Sequence, residues 1–94
     1  MVGKLLDQLV AAIRADHFVV SWHADERCEE RGITAWQLVA GIGDAKLVRE
    51  RPRSKPNPSV VLRQQLVDGS EAEAIWAWLA ESRRAMLVTV YFRD

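Results

Sequence analysis

The first periodic pattern in the chain is helical. Leu6, Leu9, Val10 and Ile13 recur at i, i+3, i+4 and i+7, with Lys4, Gln8 and Arg14 on the remaining surface, so Gly3 to Ala15 predicts an amphipathic helix that must dock on an apolar partner. The run His17 to Ser21, H-F-V-V-S, is β-branched and aromatic and predicts a short strand, with His17 flanking it. A second helix follows at once, from Trp22 to Arg31. Ser21 is its N-cap, Asp25 and Glu26 place negative charge near its positive end, and Gly32 can adopt the left-handed conformation that stops it.

That second helix is almost entirely polar. Ala24 and Cys28 share one side and form its buried stripe, while Arg31, Arg27 and His23 make a ridge at four-residue spacing along the edge of that stripe. Two small buried residues bring the helix backbone close to its neighbour and predict a cleft lined by His23 and Arg27 along the seam. The competing expectation is a solvated face of ion pairs, each contributing about 0.2–0.5 kcal/mol.

Thr34-Ala-Trp-Gln37 reads as a capping box, with Ile33 and Leu38 as its hydrophobic staple, so a third helix starts two residues after the second and runs to about Ile42. It buries some combination of Trp36, Leu38, Val39 and Ile42. Ala45 to Arg51 predicts a strand, and the three prolines of R-P-R-S-K-P-N-P-S predict a basic, mobile loop. Val60 to Val67 is the next strand, closed by the hairpin signal Asp68-Gly69. Residues 71–81 are helix-friendly in composition, yet they alternate, and the preceding turn assigns them to a strand with Trp76 and Trp78 on one side and Ile75, Ala77 and Leu79 on the other. Both sides are apolar, which predicts cover on both faces or a partner subunit on one. The two tryptophans could stack on bases, pack in the core, or hold a dimer together. In the last strand, Ala85 to Arg93, strict alternation sends Met86, Val88, Val90 and Phe92 one way and Leu87, Thr89 and Tyr91 the other.

The elements add up to an α+β fold in one domain, 1–94: an N-terminal helix in 1–16, then two consecutive short helices packed on a curved antiparallel sheet of four to five strands in 17–94. Composition agrees with a globular protein. Hydrophobic residues make up 49% of the 94 positions and charged residues 28%, which excludes disordered and fibrous classes. No apolar run approaches the roughly 20 residues of a membrane span, and no signal-peptide core is present, so a cytoplasmic location is expected. Cys28, the single cysteine, serves as a small buried hydrophobe.

Net charge is zero but unevenly spread. Residues 1–45 hold four basic and seven acidic side chains, residues 46–65 six and one, and residues 66–94 three and five. The basic middle, with Arg49, Arg51, Arg53, Lys55 and Arg63, could track a phosphate backbone or could simply be a solvated loop. There is no glycine-rich phosphate loop, no nucleophile elbow and no zinc spacing. His23 and Glu26 stand at i, i+3 with too few partners for a metal, so neither metal nor cofactor is expected. His, Arg and Tyr remain. That set suits metal-free RNA cleavage, in which the substrate's own 2′-hydroxyl is the nucleophile and the protein supplies proton transfer and cations.

The pattern V-V-S-x-H-A-x-x-R-x-x-E-R-G-I, from Val19 to Ile33, with V-T-V-Y at Val88 to Tyr91, resembles the bacterial domain of unknown function 4258 across residues 17–93. That family is similar to the RelE, ParE and BrnT toxins, and the resemblance implies a RelE-like fold. It also implies that His23, Arg27 and Arg31 face Thr89 and Tyr91 across the helix–sheet seam, with Arg63 reaching the same cleft. His23 or Tyr91 would be the base or acid and Arg27 would stabilise the phosphorane. The implied partners are RNA and a cognate antitoxin protein over the basic loop. The alternative is a non-catalytic module that binds protein or nucleic acid and could form a homodimer.

Overall fold

A computed structural model describes residues 4–93. The elements run in the order α1 (Lys4–Arg14), β1 (Phe18–Val20), α2 (Trp22–Arg31), α3 (Ala35–Ala40), a 3-10 turn (Ile42–Asp44), β2 (Lys46–Arg51), β3 (Ser59–Gln65), β4 (Glu71–Leu79) and β5 (Arg84–Arg93). The α+β class is as expected, and residues 71–79 are a strand. The predicted helix start at Gly3 lies outside the described residues.

The five strands form one sheet in the order β1-β5-β4-β3-β2. β2 to β5 are antiparallel neighbours, whereas β1 runs parallel to β5, so the sheet is mixed and not antiparallel throughout. The reason lies in the connection. β1 and β5 are far apart in sequence, so no hairpin constrains their direction, and β1 takes the one edge that β5 leaves free.

Helices cover a single face. Leu9, Ala12 and Ile13 of α1, Ala24 and Cys28 of α2, and Leu38 of α3 pack over Val60, Leu62, Ala74, Trp76, Leu87 and Val90. Trp76 is wholly enclosed there, and neither base stacking nor a dimer contact can use it. Ile13, Leu38, Leu62 and Leu87 are also sealed. α1 therefore belongs to the core and is not an appendage.

Two local expectations fail for definite reasons. Thr34 caps α3 by position but its side chain makes no capping bond, because the Gln37 N–H is taken by the Thr34 carbonyl at 3.1 Å. The short first turn consumes the donor that the capping box needed. Trp36 is largely exposed, touching the fold through an edge-on contact with Phe18 at 5.6 Å between ring centres. Behind α3, buried Gln64 of β3 donates to the Leu38 carbonyl at 2.9 Å. Gly41 leaves room for that approach, since a Cβ there would lie 3.0 Å from the Gln64 amide nitrogen.

The proline-rich segment 52–58 is not a free loop. The Ser54 hydroxyl donates to the Asn57 carbonyl and lies 2.9 Å from the Ser59 hydroxyl, and the Trp78 N–H donates to the Pro58 carbonyl at 2.9 Å, which extends the β3–β4 ladder into the loop. The Asp68-Gly69 turn forms as predicted. Gly69 has φ +90°, and the Asp68 carboxylate accepts from both the backbone and the hydroxyl of Ser70, which holds it below the usual carboxylate range.

Truncating Trp76 to alanine removes the largest sealed side chain of the core, and chemical denaturation is expected to show a loss of about 3–5 kcal/mol.

Candidate functional site

β1 pairs with β5 only at Ala85, Met86 and Leu87, so the second half of β5 is an unpaired edge. α2 takes over that edge. The Ser21 hydroxyl accepts the Ala24 N–H at 3.0 Å and donates to the Val88 carbonyl at 2.7 Å, while the Ser21 N–H donates to Leu87 at 2.9 Å. One turn later, Arg27 Nε donates to the Val90 carbonyl at 3.3 Å. Ala24 and Cys28, both fully buried, let the helix backbone lie this close. Burial, aided by the Asp25 carboxylate, pushes the Cys28 thiol above its ordinary value.

At the same point β5 bulges. Ile75 pairs with Thr89 but Trp76 pairs with Leu87, so Val88 is an extra residue that resets the alternation. Ala85, Leu87, Val90 and Phe92 then belong to the helix-covered core, and Met86, Val88, Thr89 and Tyr91 to the opposite face. This corrects the expectation that Met86, Val88, Val90 and Phe92 share a side, because one inserted residue inverts every later position.

None of the described helices covers that opposite face. A groove of about 320 Å³ runs over it, floored by Ile75, Ala77, Met86 and Thr89, with Tyr91 at one end and Arg51, Lys55 and Asn57 toward the segment 52–58. Thr89 is 6% exposed and its Oγ1 makes no hydrogen bond. Tyr91 is 52% exposed, and the Arg27 guanidinium lies 6.0 Å from its ring centre. Such a cation–π contact at a partly exposed site is worth about 0.5–1 kcal/mol.

The residues singled out in the sequence are thus redistributed. Thr89, Tyr91, Arg51 and Lys55 meet in the groove, and Arg27 reaches its Tyr91 end from the sheet edge. His23 is exposed on α2 and does not line the groove. The depression beside α2 is bounded by Arg27, Glu30, Arg31 and Phe92 and does not include His23, with the Arg31 guanidinium 5.3 Å from the Phe92 ring centre. Arg63 bonds Glu73 at 3.1 Å, and Arg93 approaches the same carboxylate at 3.7 Å, so Arg63 faces a carboxylate and not the groove. Arg49, opposite Val61, shares the open face, and Arg53 is exposed outside the groove. Sequence reasoning missed the groove's floor. Its only trace was the excess of apolar residues on the second face of β4.

These features define a class: a small α+β domain whose helices seal one sheet face and one sheet edge, leaving the other face as a groove with basic, aromatic and hydroxyl groups. The chain belongs to the family described as Domain of unknown function (DUF4258), whose profile matches residues 9–92. The match begins inside α1, earlier than the motif resemblance at 17, as the part of α1 in the core explains. Comparison with the curated proteins and with the solved structures gives no match. No helix of the described residues is long and apolar enough to cross a membrane.

Cys28 should resist thiol reagents until the protein is unfolded. Above pH 9.0, the ordinary thiol value, the unfolded chain loses a proton that the folded chain keeps. Stability is therefore expected to fall as pH rises through that region, and denaturation curves of the Cys28→Ala variant should show a shallower fall. Ser21→Ala should cost about 2 kcal/mol in the same assay, since it unpairs both the helix start and the β5 edge.

Proposed function

We propose that the chain acts on RNA at the open sheet groove as a metal-independent ribonuclease of the RelE-like kind. The observation that carries this reading is the meeting of Tyr91, the unpaired Thr89 hydroxyl and the cations of Arg51, Lys55 and Arg27 around one groove. Phosphate oxygens of a bound strand are held by Arg51 and Lys55, and a base stacks on Tyr91. The 2′-hydroxyl attacks the adjacent phosphorus, releasing its proton to solvent. The phosphorus–5′-oxygen bond breaks as Tyr91 protonates the leaving oxygen and then recovers a proton from water. The products are a 2′,3′-cyclic phosphate and a 5′-hydroxyl. The guanidinium of Arg27 and the other cations stabilise the negative charge of the phosphorane. An acidic antitoxin segment laid over Arg51 and Lys55 would block the groove.

A second reading is favoured by one observation. No histidine or carboxylate borders the groove, which leaves Tyr91 and the strongly basic Lys55 as the side chains there able to carry a proton. On that reading the same groove binds RNA without cutting it.

The test is cleavage of end-labelled RNA in EDTA. Wild-type protein is expected to yield 2′,3′-cyclic phosphate ends, Tyr91→Phe to lose roughly a hundredfold in rate, and His23→Ala to cleave normally. A folded protein that binds RNA and leaves it intact overturns the ribonuclease and supports the binding module. A protein that neither binds nor cleaves overturns both.

A further inference from the structure

The groove reaches Asn57 at the end away from Tyr91. Asn57 also borders a depression of about 450 Å³ over the β4–β5 turn, together with Leu79, Ala80, Glu81 and Ser82. Ser82 in turn borders a third depression, of about 550 Å³, between α1 and that turn. Each depression shares one bordering residue with the next, so the three follow one another around the end of the sheet.

The third depression has its own chemistry. Its floor is the small side chains of Ala11, Ala12 and Ala15, its wall is the half-buried ring of Trp78, and its rim carries His17, Arg83 and Arg84. The backbone presents this rim in a defined shape. Arg83 has φ +56° and its N–H donates to the Leu79 carbonyl at 2.8 Å, and the His17 carbonyl accepts the Ala85 N–H at 3.1 Å. An indole face beside two guanidinium groups is what a nucleobase followed by phosphates would fill. The residues bordering the three depressions include a single carboxylate, Glu81, at the middle of the path.

We infer that a single strand of RNA follows one track, from Tyr91 along the open face, past Asn57 and over the β4–β5 turn, to a second subsite where Arg83 and Arg84 hold phosphate and Trp78 stacks on a base. This inference rests on the reading of the groove as an RNA site and adds its direction and extent. The two subsites lie on opposite faces of the sheet, so one strand joins them only by passing around the turn. The second contact then acts at high effective concentration, and affinity rises with strand length. Glu81 repels phosphate at mid-path, so the strand presents sugar and base edges there.

Fluorescence anisotropy with 2′-O-methyl oligouridylate strands of roughly 4 and roughly 12 nucleotides, which lack the attacking hydroxyl, tests it within the range of single-strand site sizes. The wild-type protein should bind the longer strand about tenfold tighter or more. The double variant Arg83→Asn, Arg84→Gln should lose that gain while holding the short strand as before. Asn is chosen because it tolerates the left-handed backbone at position 83. Its salt dependence with the longer strand should be shallower by about 1.4 in the logarithmic slope, as expected for two fewer phosphates on a single strand. Glu81→Gln should tighten the longer strand alone. Equal affinity for both lengths, or a long-strand affinity untouched by the double variant in a protein of unchanged thermal stability, overturns the track. Failure of the short strand to bind, or short-strand binding indifferent to Lys55→Ala and Tyr91→Ala, overturns the groove reading itself.

Discussion

The Ser21 hydroxyl joins the two halves of this fold. It accepts from the first turn of α2 and donates to the first unpaired carbonyl of β5, so a single oxygen both starts the helix and covers the strand edge. An uncovered edge strand is an invitation to pair with another chain, and a buried one without partners costs free energy for every idle peptide group. Ser21, and Arg27 after it, resolve both problems by holding a polar helix along a strand that β1 is too short to cover. The near absence of large side chains on the inner side of α2 follows from this. A leucine at position 24 or 28 would push the helix off the edge and lengthen both bonds.

The bulge at Val88 begins where that edge cover begins. Pairing with β1 ends at Leu87, and the extra residue allows β5 to keep its ladder with β4 while presenting Val88 to Ser21. Its chemical consequence lies on the far face. Without the inserted residue, Thr89 and Tyr91 would point into the core and Val90 out of it. With it, an apolar pair remains inside, and buried Thr89 and half-exposed Tyr91 stand on the face that no described helix covers. Bulges beside functional surfaces commonly re-aim a side chain in this way.

Charge is sorted by face in the same manner. The exposed acidic residues Asp25, Glu26, Glu29 and Glu30 lie along α2, on the helical side, while Arg49, Arg51 and Lys55 lie on or border the open sheet face. A chain with no net charge can therefore still offer a local basic surface. Glu71 and Glu73 also stand on that face, and Glu73 is flanked by Arg63 and Arg93.

Much of the architecture could be read from residue order. The helical repeat in α1, the Ser21 and Gly32 boundaries of α2, the two-residue joint before α3 and the Asp68-Gly69 hairpin are all dictated within a few neighbouring residues, and each formed as read. So did the buried pair Ala24 and Cys28, because a 3.6-residue period decides which side of a helix is apolar. The candidate site was legible in its ingredients, since Arg51, Lys55, Thr89 and Tyr91 border it and Arg27 lies against Tyr91, but not in its assembly. Its location depends on the parity of β5, and one unpaired residue reverses that parity without leaving a mark in a run of β-branched and apolar residues. His23 could not be separated from Arg27 by helical spacing, because which of the two meets β5 depends on where the strand edge runs beside α2. Local chemistry decides turns, caps and faces. Which faces meet is decided only when distant segments, β5 against α2 and β4 against the loop 52–58, are packed together.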